Sequence, residues 1–151
     1  MGKGPAGERG EHRVVYTIGT GQRTLDEFLS LLVLHGIETL IDVRRYPWSR
    51  FEHFRKSLLA SELEKKNIHY LYLGETLGGF REKGYEEHMV SEDFSRGLEE
   101  LEKASRVSRA AFFCAETLPW RCHRRHIARC LIRRGWKVVH ILDEGRTWEE
   151  K

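Results

Sequence analysis

The chain has 151 residues, enough for one domain around one hydrophobic core. With 40% hydrophobic and 32% charged residues it is neither a disordered chain nor a membrane-embedded one. Its 26 basic and 23 acidic side chains leave a net charge of only +3, so an anion preference has to come from local clustering, not from the whole-molecule field.

No apolar run approaches the roughly 20 residues that span a bilayer. Met1 to Arg13 is Gly-rich and charged, without the apolar stretch of a signal peptide, and reads as a flexible tail ahead of a single domain, 14–151. Cys114, Cys122 and Cys130 are an odd number within one segment, which argues for reduced thiols in a cytoplasmic protein. Asn67 and Gln22 are the sole side-chain amides, and such scarcity beside abundant Glu, Lys and Arg fits a heat-adapted source.

Strand and helix patterns alternate along the chain. Val14 to Ile18 is a β-branched and aromatic run ending at Gly19. Thr24 and Glu27 form a capping-box pattern, and Leu25, Phe28, Leu29 and Leu32 follow at helical spacing. Gly36 is a natural terminator for that helix. Thr39 to Val43 predicts a buried second strand, and Arg44 to Arg55 an irregular stretch. Ser57 can cap a helix running to about Lys66. His69 to Leu73 predicts a third strand, and the four glycines between Gly74 and Gly84 a loop. Ser91 caps a helix whose inner face is Phe94, Leu98 and Leu101. Ala110 to Cys114 is a fourth strand, Trp120 to Arg134 a helix stopped by Gly135, and Lys137 to Leu142 a fifth strand.

Helical segments separate successive strands, which predicts a three-layer, Rossmann-like α/β fold with a mostly parallel five-stranded sheet flanked by helices. Such a sheet places its ligand site beyond the carboxyl ends of the strands. Gly19, Asp42, Arg44, Cys114 and Glu116 all fall there.

Three constellations carry chemistry. Gly19 to Thr24 (GTGQRT) can bring backbone N–H groups and a helix N-terminus to an anion. With Asp42 at the next strand end it is a partial dinucleotide fingerprint, lacking the third glycine, so a tight turn with helix capping explains it better than a nicotinamide or flavin site. No cofactor is therefore assigned. In DVRRYPWSRFEHF, Asp42 and Arg44 are a pair that can grip a polar substrate or pin a loop. Arg45, Arg50, His53 and Arg55 interleave with Tyr46, Trp48 and Phe51, a composition suited to phosphate and base stacking.

The third, CAETLPWRCHRRH, places Cys122, His123 and Arg124 in a first helical turn. There the helix dipole and neighbouring arginines favour a thiolate. Ile127, Cys130 and Leu131 mark the core face of this helix, and Arg124 borders it, where an arginine needs a partner or an anion. Arg125, Arg129 and Arg133 form a separate solvated stripe. Cys114, Glu116, Cys122 and His123 match no zinc spacing, so no metal is assigned; small buried cysteines with a capping role are the plain alternative to a Cys122–His123 nucleophile.

TIG, DVRRYPWSRFEHF, LGETLGGFR, GYEEHM and CAETLPWRCHRRHIA, in this order, resemble the domain-of-unknown-function family numbered 488 over nearly everything from Tyr16 to Ile141. In that family TIG usually continues with His, where this chain has Thr20; if that His is catalytic, this member lacks it or replaces it with another residue. The resemblance implies an α/β three-layer fold but no reaction. It carries over Asp42, Arg44, Pro47, Ser49, Cys114, Glu116, Cys122, His123 and Arg124 as motif residues.

Three functions fit these features. The first is an enzyme acting on a phosphate-bearing substrate, a nucleotide or nucleic-acid component. Gly19, Arg44, Ser49, Cys114 and Arg124 would bind it, Asp42 or Glu116 would serve as acid or base, and Cys122 or His123 as nucleophile or proton carrier. The second is a non-catalytic nucleic-acid-binding module. The third is a structural or partner-binding domain whose rim residues merely satisfy one another.

Overall fold

The computed structural model describes residues 13–46, 55–79, 81–116 and 122–150. Ser49 and Pro47, with the rest of the expected basic–aromatic stretch 47–54, lie outside these residues, as do 117–121 and the expected tail up to residue 12. The described chain folds into β1 (Val14–Gly19), α1 (Leu25–Leu34), β2 (Thr39–Asp42), α2 (Lys56–Lys65), β3 (His69–Tyr72), α3 (Gly74–Leu77), α4 (Tyr85–His88), α5 (Glu92–Val107), β4 (Ala110–Cys114), α6 (Arg124–Arg133), β5 (Lys137–Asp143) and β6 (Arg146–Glu149).

The strands form one sheet in the order β3-β2-β4-β1-β5-β6, parallel except for the antiparallel pairing of β6 on β5. The α/β class, the parallel sheet and the flanking helices are as the sequence predicts, but the sheet has six strands, not five. β6 is only four residues long and mostly exposed, so it lacks the apolar run by which the others are recognised. Its signal is the Asp143–Arg146 turn, closed by Gly145 N–H on Asp143 Oδ1 at 3.2 Å, with β-forming Thr147 and Trp148 beyond it.

Local chemistry sets the helix boundaries. Thr24 Oγ1 accepts the Glu27 N–H while Glu27 Oε1 accepts the Thr24 N–H, the reciprocal box expected for α1. Gly36 follows at φ 68°, a left-handed turn that only glycine makes without cost. Ser91 Oγ accepts the Phe94 N–H at the start of α5. Elsewhere the expectations need correction. α2 begins at Lys56 with Arg55 at the N-cap position, where its side chain makes no capping hydrogen bond, so Ser57 lies inside the helix. The glycine-rich 74–84 stretch holds the short helix α3, because Leu77 is buried and anchors a turn there. α6 begins at Arg124 with His123 as its cap, so Cys122 precedes the first turn.

Two cores sandwich the sheet. One gathers Ile18, Leu40 and Phe113 beneath Phe28 and Leu32 of α1 and Leu59 and Leu63 of α2. The other gathers Val15, Ile41 and Phe112 beneath Leu98 and Leu101 of α5 and Ile127 and Leu131 of α6. Successive strand residues face opposite ways, so adjacent Phe112 and Phe113 each anchor a different core, at roughly 2–3 kcal/mol of burial apiece. Among the described residues no helix is long and apolar enough to cross a membrane.

Candidate functional site

The chain leaves β1 and β2 toward the α1/α2 face, and leaves β3 and β4 toward the α5/α6 face. Neighbouring strands whose exits diverge open a crevice at their carboxyl ends. This happens between β4 and β1, between β2 and β4, and between β3 and β2. The sequence-predicted residues Gly19, Asp42, Cys114 and Glu116 do reach this rim. They are divided, however, between the two faces of the sheet.

On the α1/α2 face, Asp42 is fully buried. Its Oδ1 accepts the Arg44 backbone N–H at 3.0 Å and Arg44 Nε at 2.9 Å, while Oδ2 accepts Arg44 Nη2 at 2.9 Å and the Tyr70 hydroxyl at 2.5 Å. The Arg44 guanidinium lies over the Phe113 ring, 4.8 Å from its centroid. This is a closed fork: the carboxylate holds the arginine and the phenol in place. Burial raises the Tyr70 phenol far above its usual value, with Asp42 beside it as the next cause, so Tyr70 stays protonated.

On the α5/α6 face, the end of β4 and the start of α6 bring Cys114 and Cys122 together as a disulfide pair eight residues apart. The expectation of reduced thiols is thereby corrected; Cys130 alone is unpaired among the three. Cys122 Sγ accepts the Arg124 N–H at 3.3 Å, so the sulfur caps α6. His123 Nε2 donates to the Val43 carbonyl at 2.8 Å, since a carbonyl only accepts, which leaves Nδ1 as the acceptor nitrogen, 3.6 Å from Cys122 Sγ. Tyr85 packs on the same ring at 5.5 Å between centroids.

Arg124 is 1% exposed. Its Nη1 donates to Thr17 Oγ1 at 3.0 Å and its Nη2 to the Glu116 carbonyl at 2.7 Å. Thr17 in turn meets His140 Nδ1 at 2.5 Å, and His140 Nε2 meets Glu150 Oε1 at 2.9 Å. A hydrogen-bonded chain thus runs through the buried side of β1 and β5, with a guanidinium at one end and a carboxylate at the other. Burial lowers Arg124 to about 10, against the opposing pull of Glu116.

The GTGQRT turn is filled by the protein itself. Thr20 N–H donates to the Cys114 carbonyl at 3.0 Å and Gly21 N–H to the Ala115 carbonyl at 2.8 Å. Arg23 Nη1 caps the Gly19 carbonyl at 2.5 Å. A Cβ on Gly19 would strike the Glu116 carbonyl, so glycine is required here for strand-end packing, and these amides are spent within the fold. Thr20 is 2% exposed and also directs its hydroxyl to the Ala115 carbonyl.

An open cleft of about 1130 Å³ lies at the β3/β2 crevice. Among the described residues its walls carry Arg45, Arg55, Lys56, Arg81 and Arg96 against Glu75 and Asp93, with Tyr46, Tyr70 and Tyr72 between them. The Lys56 ammonium sits 4.1 Å from the Tyr72 ring centroid, and the Tyr72 hydroxyl donates to the Arg45 carbonyl at 2.8 Å. Arg81 Nε is held by the Gly78 carbonyl at 2.8 Å. Burial lowers the Arg81 pKa, and the nearby Arg45 charge lowers it further, a cation pair that an anion would relieve. Sequence reasoning missed most of this cleft. Tyr70 and Tyr72 share a strand face by their spacing, a legible signal, whereas Arg81 and Arg96 arrive from distant elements. Among the described residues no group of three or more His, Cys, Asp or Glu is placed to hold a metal ion.

His123 sets a pH dependence. Burial drives it from 6.5 down to about 4; the Val43 hydrogen bond opposes this, and the charges of Arg124, His126 and Arg81 add to it. The folded state therefore favours the neutral ring. Its contribution is complete above pH 6.5 and is lost as pH falls from 6.5 toward 4, because the unfolded chain takes up the proton first. The expected loss is roughly 3 kcal/mol across that window. Urea midpoints at pH 7 and pH 4.5 measure it, and His123→Asn should flatten the slope. An unchanged slope in that variant removes His123 as the cause.

A mostly parallel sheet covered on both faces, with polar residues gathered at the carboxyl rim, defines an α/β protein. The chain belongs to the family described as Domain of unknown function DUF488, whose model matches residues 24–131. That span takes in the Asp42 fork, the described walls of the cleft and both paired cysteines, and leaves out Thr17, Gly19 and His140. No curated protein and no solved structure matches the chain.

Proposed function

We propose that the protein is an enzyme that binds the phosphate of a nucleotide or nucleic-acid component in the cleft between the carboxyl ends of β2 and β3. One observation carries the reading: the cleft, at about 1130 Å³, has room for a nucleotide, and its described lining joins five cations to three tyrosines and only two carboxylates. Arg45 and Arg81 hold the phosphate through charge-assisted hydrogen bonds, and Tyr46 and Tyr72 offer ring faces to a base. Tyr70, whose proton is directed to Asp42, presents its remaining lone pairs to the ligand. Asp42 and Arg44 act as positioning residues for it, because Asp42 itself is sealed from solvent. A chain of net charge only +3 favours a small substrate over a nucleic-acid track.

Thermal shift with nucleoside mono- and triphosphates, inorganic phosphate and short single-stranded oligonucleotides tests this at 50 and 200 mM salt. Nucleotides should raise the melting temperature, and Arg45→Ala or Arg81→Ala should each weaken binding about tenfold or more. No shift with any nucleotide or with phosphate at low salt removes the reading. Tight binding confined to oligonucleotides, falling steeply with salt, replaces the enzyme with a binding module.

A further inference from the structure

Cys114 and Cys122 take no part in the cleft, yet they occupy the same rim on the opposite face of the sheet. We propose that they form a thiol–disulfide exchange couple, with Cys122 as the attacking sulfur and Cys114 as the resolving one, acting on low-molecular-weight disulfides.

Three observations support this. First, the two sulfurs are already partnered, and the pair closes a segment of only eight residues in sequence separation. A crosslink over so short a loop contributes little chain-entropy stabilisation. Second, the two cysteines are unequal. Cys114 is 3% exposed in the α5/α6 core, whereas Cys122 is only partly buried and sits just outside the start of α6. An incoming disulfide reaches Cys122, and only an internal sulfur reaches Cys114. Third, the surroundings of Cys122 serve a thiolate. The Arg124 N–H points at Sγ from 3.3 Å, at the positive end of a ten-residue helix. The lone pair of His123 Nδ1 faces the same sulfur.

The chemistry balances as two successive displacements. The Cys122 sulfur attacks one sulfur of a small disulfide, forming a Cys122 mixed disulfide and breaking the small S–S bond. The proton from Cys122 passes by way of His123 Nδ1 to the departing thiolate, which leaves as a thiol. Cys114 then attacks Cys122 Sγ, forming the internal disulfide and releasing the second small thiol with the Cys114 proton. The two cysteines are oxidised by two electrons and the small disulfide is reduced by two.

The full chain, reduced and then equilibrated with mixtures of reduced and oxidised glutathione, provides the test. Acid quenching, alkylation and mass mapping read each cysteine. The expected result is a reversible Cys114–Cys122 crosslink, with Cys130 alkylated throughout. Cys114→Ser should accumulate glutathione on Cys122, reacting about tenfold or more faster than Cys130. Cys122→Ser should leave Cys114 unmodified. If Cys114→Ser does not fold, rapid quenching of the unsubstituted protein still reports which cysteine carries the transient adduct. Retention of both thiols across the glutathione series overturns the proposal, as does an adduct that forms first on Cys114 or Cys130. Binding of nucleotide in the cleft is read separately and stands or falls on its own.

Discussion

Asp42→Asn should cost the folded state about 3–5 kcal/mol, the range for breaking a buried ion pair by removing one partner. Asp42 is fully buried and Arg44 is 6% exposed, so water cannot replace what is lost. Four donors converge on the carboxylate: the Arg44 backbone N–H, its Nε and Nη2, and the Tyr70 hydroxyl. An amide of the same shape offers one acceptor oxygen and turns two donors of its own on the remaining groups. The guanidinium also loses the charge of Asp42. Urea unfolding should show the midpoint falling with its slope unchanged. Replacing both partners, Asp42→Leu with Arg44→Met, should cost less than the sum of the single changes by more than about 1 kcal/mol. A loss below about 1 kcal/mol in Asp42→Asn would falsify the closed-fork reading. Tyr70 would also lose its anchor, so the variant should bind nucleotide more weakly even where it remains folded.

The second large effect is expected far from the rim. Glu102 is 4% exposed within α5, and its carboxylate accepts from Trp136 Nε1 at 2.9 Å, Arg134 Nη1 at 2.5 Å and Arg13 Nη2 at 3.4 Å, with Arg106 at 3.9 Å. It ties together the approach to β1, the end of α6 and the first residue before β5. Glu102→Ala should destabilise the protein by about 2–4 kcal/mol. The three arginines are partly exposed and can turn to water, so the larger share comes from Trp136, whose buried N–H loses its acceptor. Glu102→Gln keeps that acceptor and should cost about half as much. Equal costs for the two substitutions would assign the effect to the arginines instead, and salt dependence would then rise with it.

Much of this fold can be read locally. The Thr24–Glu27 box, the Ser91 cap and the apolar spacing of Phe94, Leu98 and Leu101 depend on neighbours within four residues. The parallel class follows from helices between strands, and the rim location from strand ends. Glu102 was legible in part: it lies four residues after Leu98 on the inward face of α5, where a charge needs a partner. What brought distant residues together was not legible. Side-chain alternation divides Asp42 from Cys114 across the sheet, and the pairing of β2 with β4 decides that both meet the same rim. Cys122 was expected inside a helix beginning at Trp120; α6 instead starts four residues later, at Arg124, and the Cys122 sulfur meets the Arg124 N–H and Cys114. The cleft draws on α2, β3 and the start of α5, and no linear pattern joins them.

β6 bears on how the molecule behaves in company. Without it, β5 would present Val138 to Ile141 as an open edge, whose unpaired N–H and C=O groups could template another chain. The return strand covers that edge and substitutes a short one bearing Arg146 and Glu149, with an irregularity at Ile141 to Asp143 that interrupts regular pairing. Trp148 lies flat over His140 with 5.2 Å between ring centroids, and the Glu150 N–H continues the pairing onto the Val138 carbonyl. Four weakly buried residues thus act as a guard against edge-to-edge aggregation, leaving the outer margin of the sheet charged, short and unsuited to growth into a fibre.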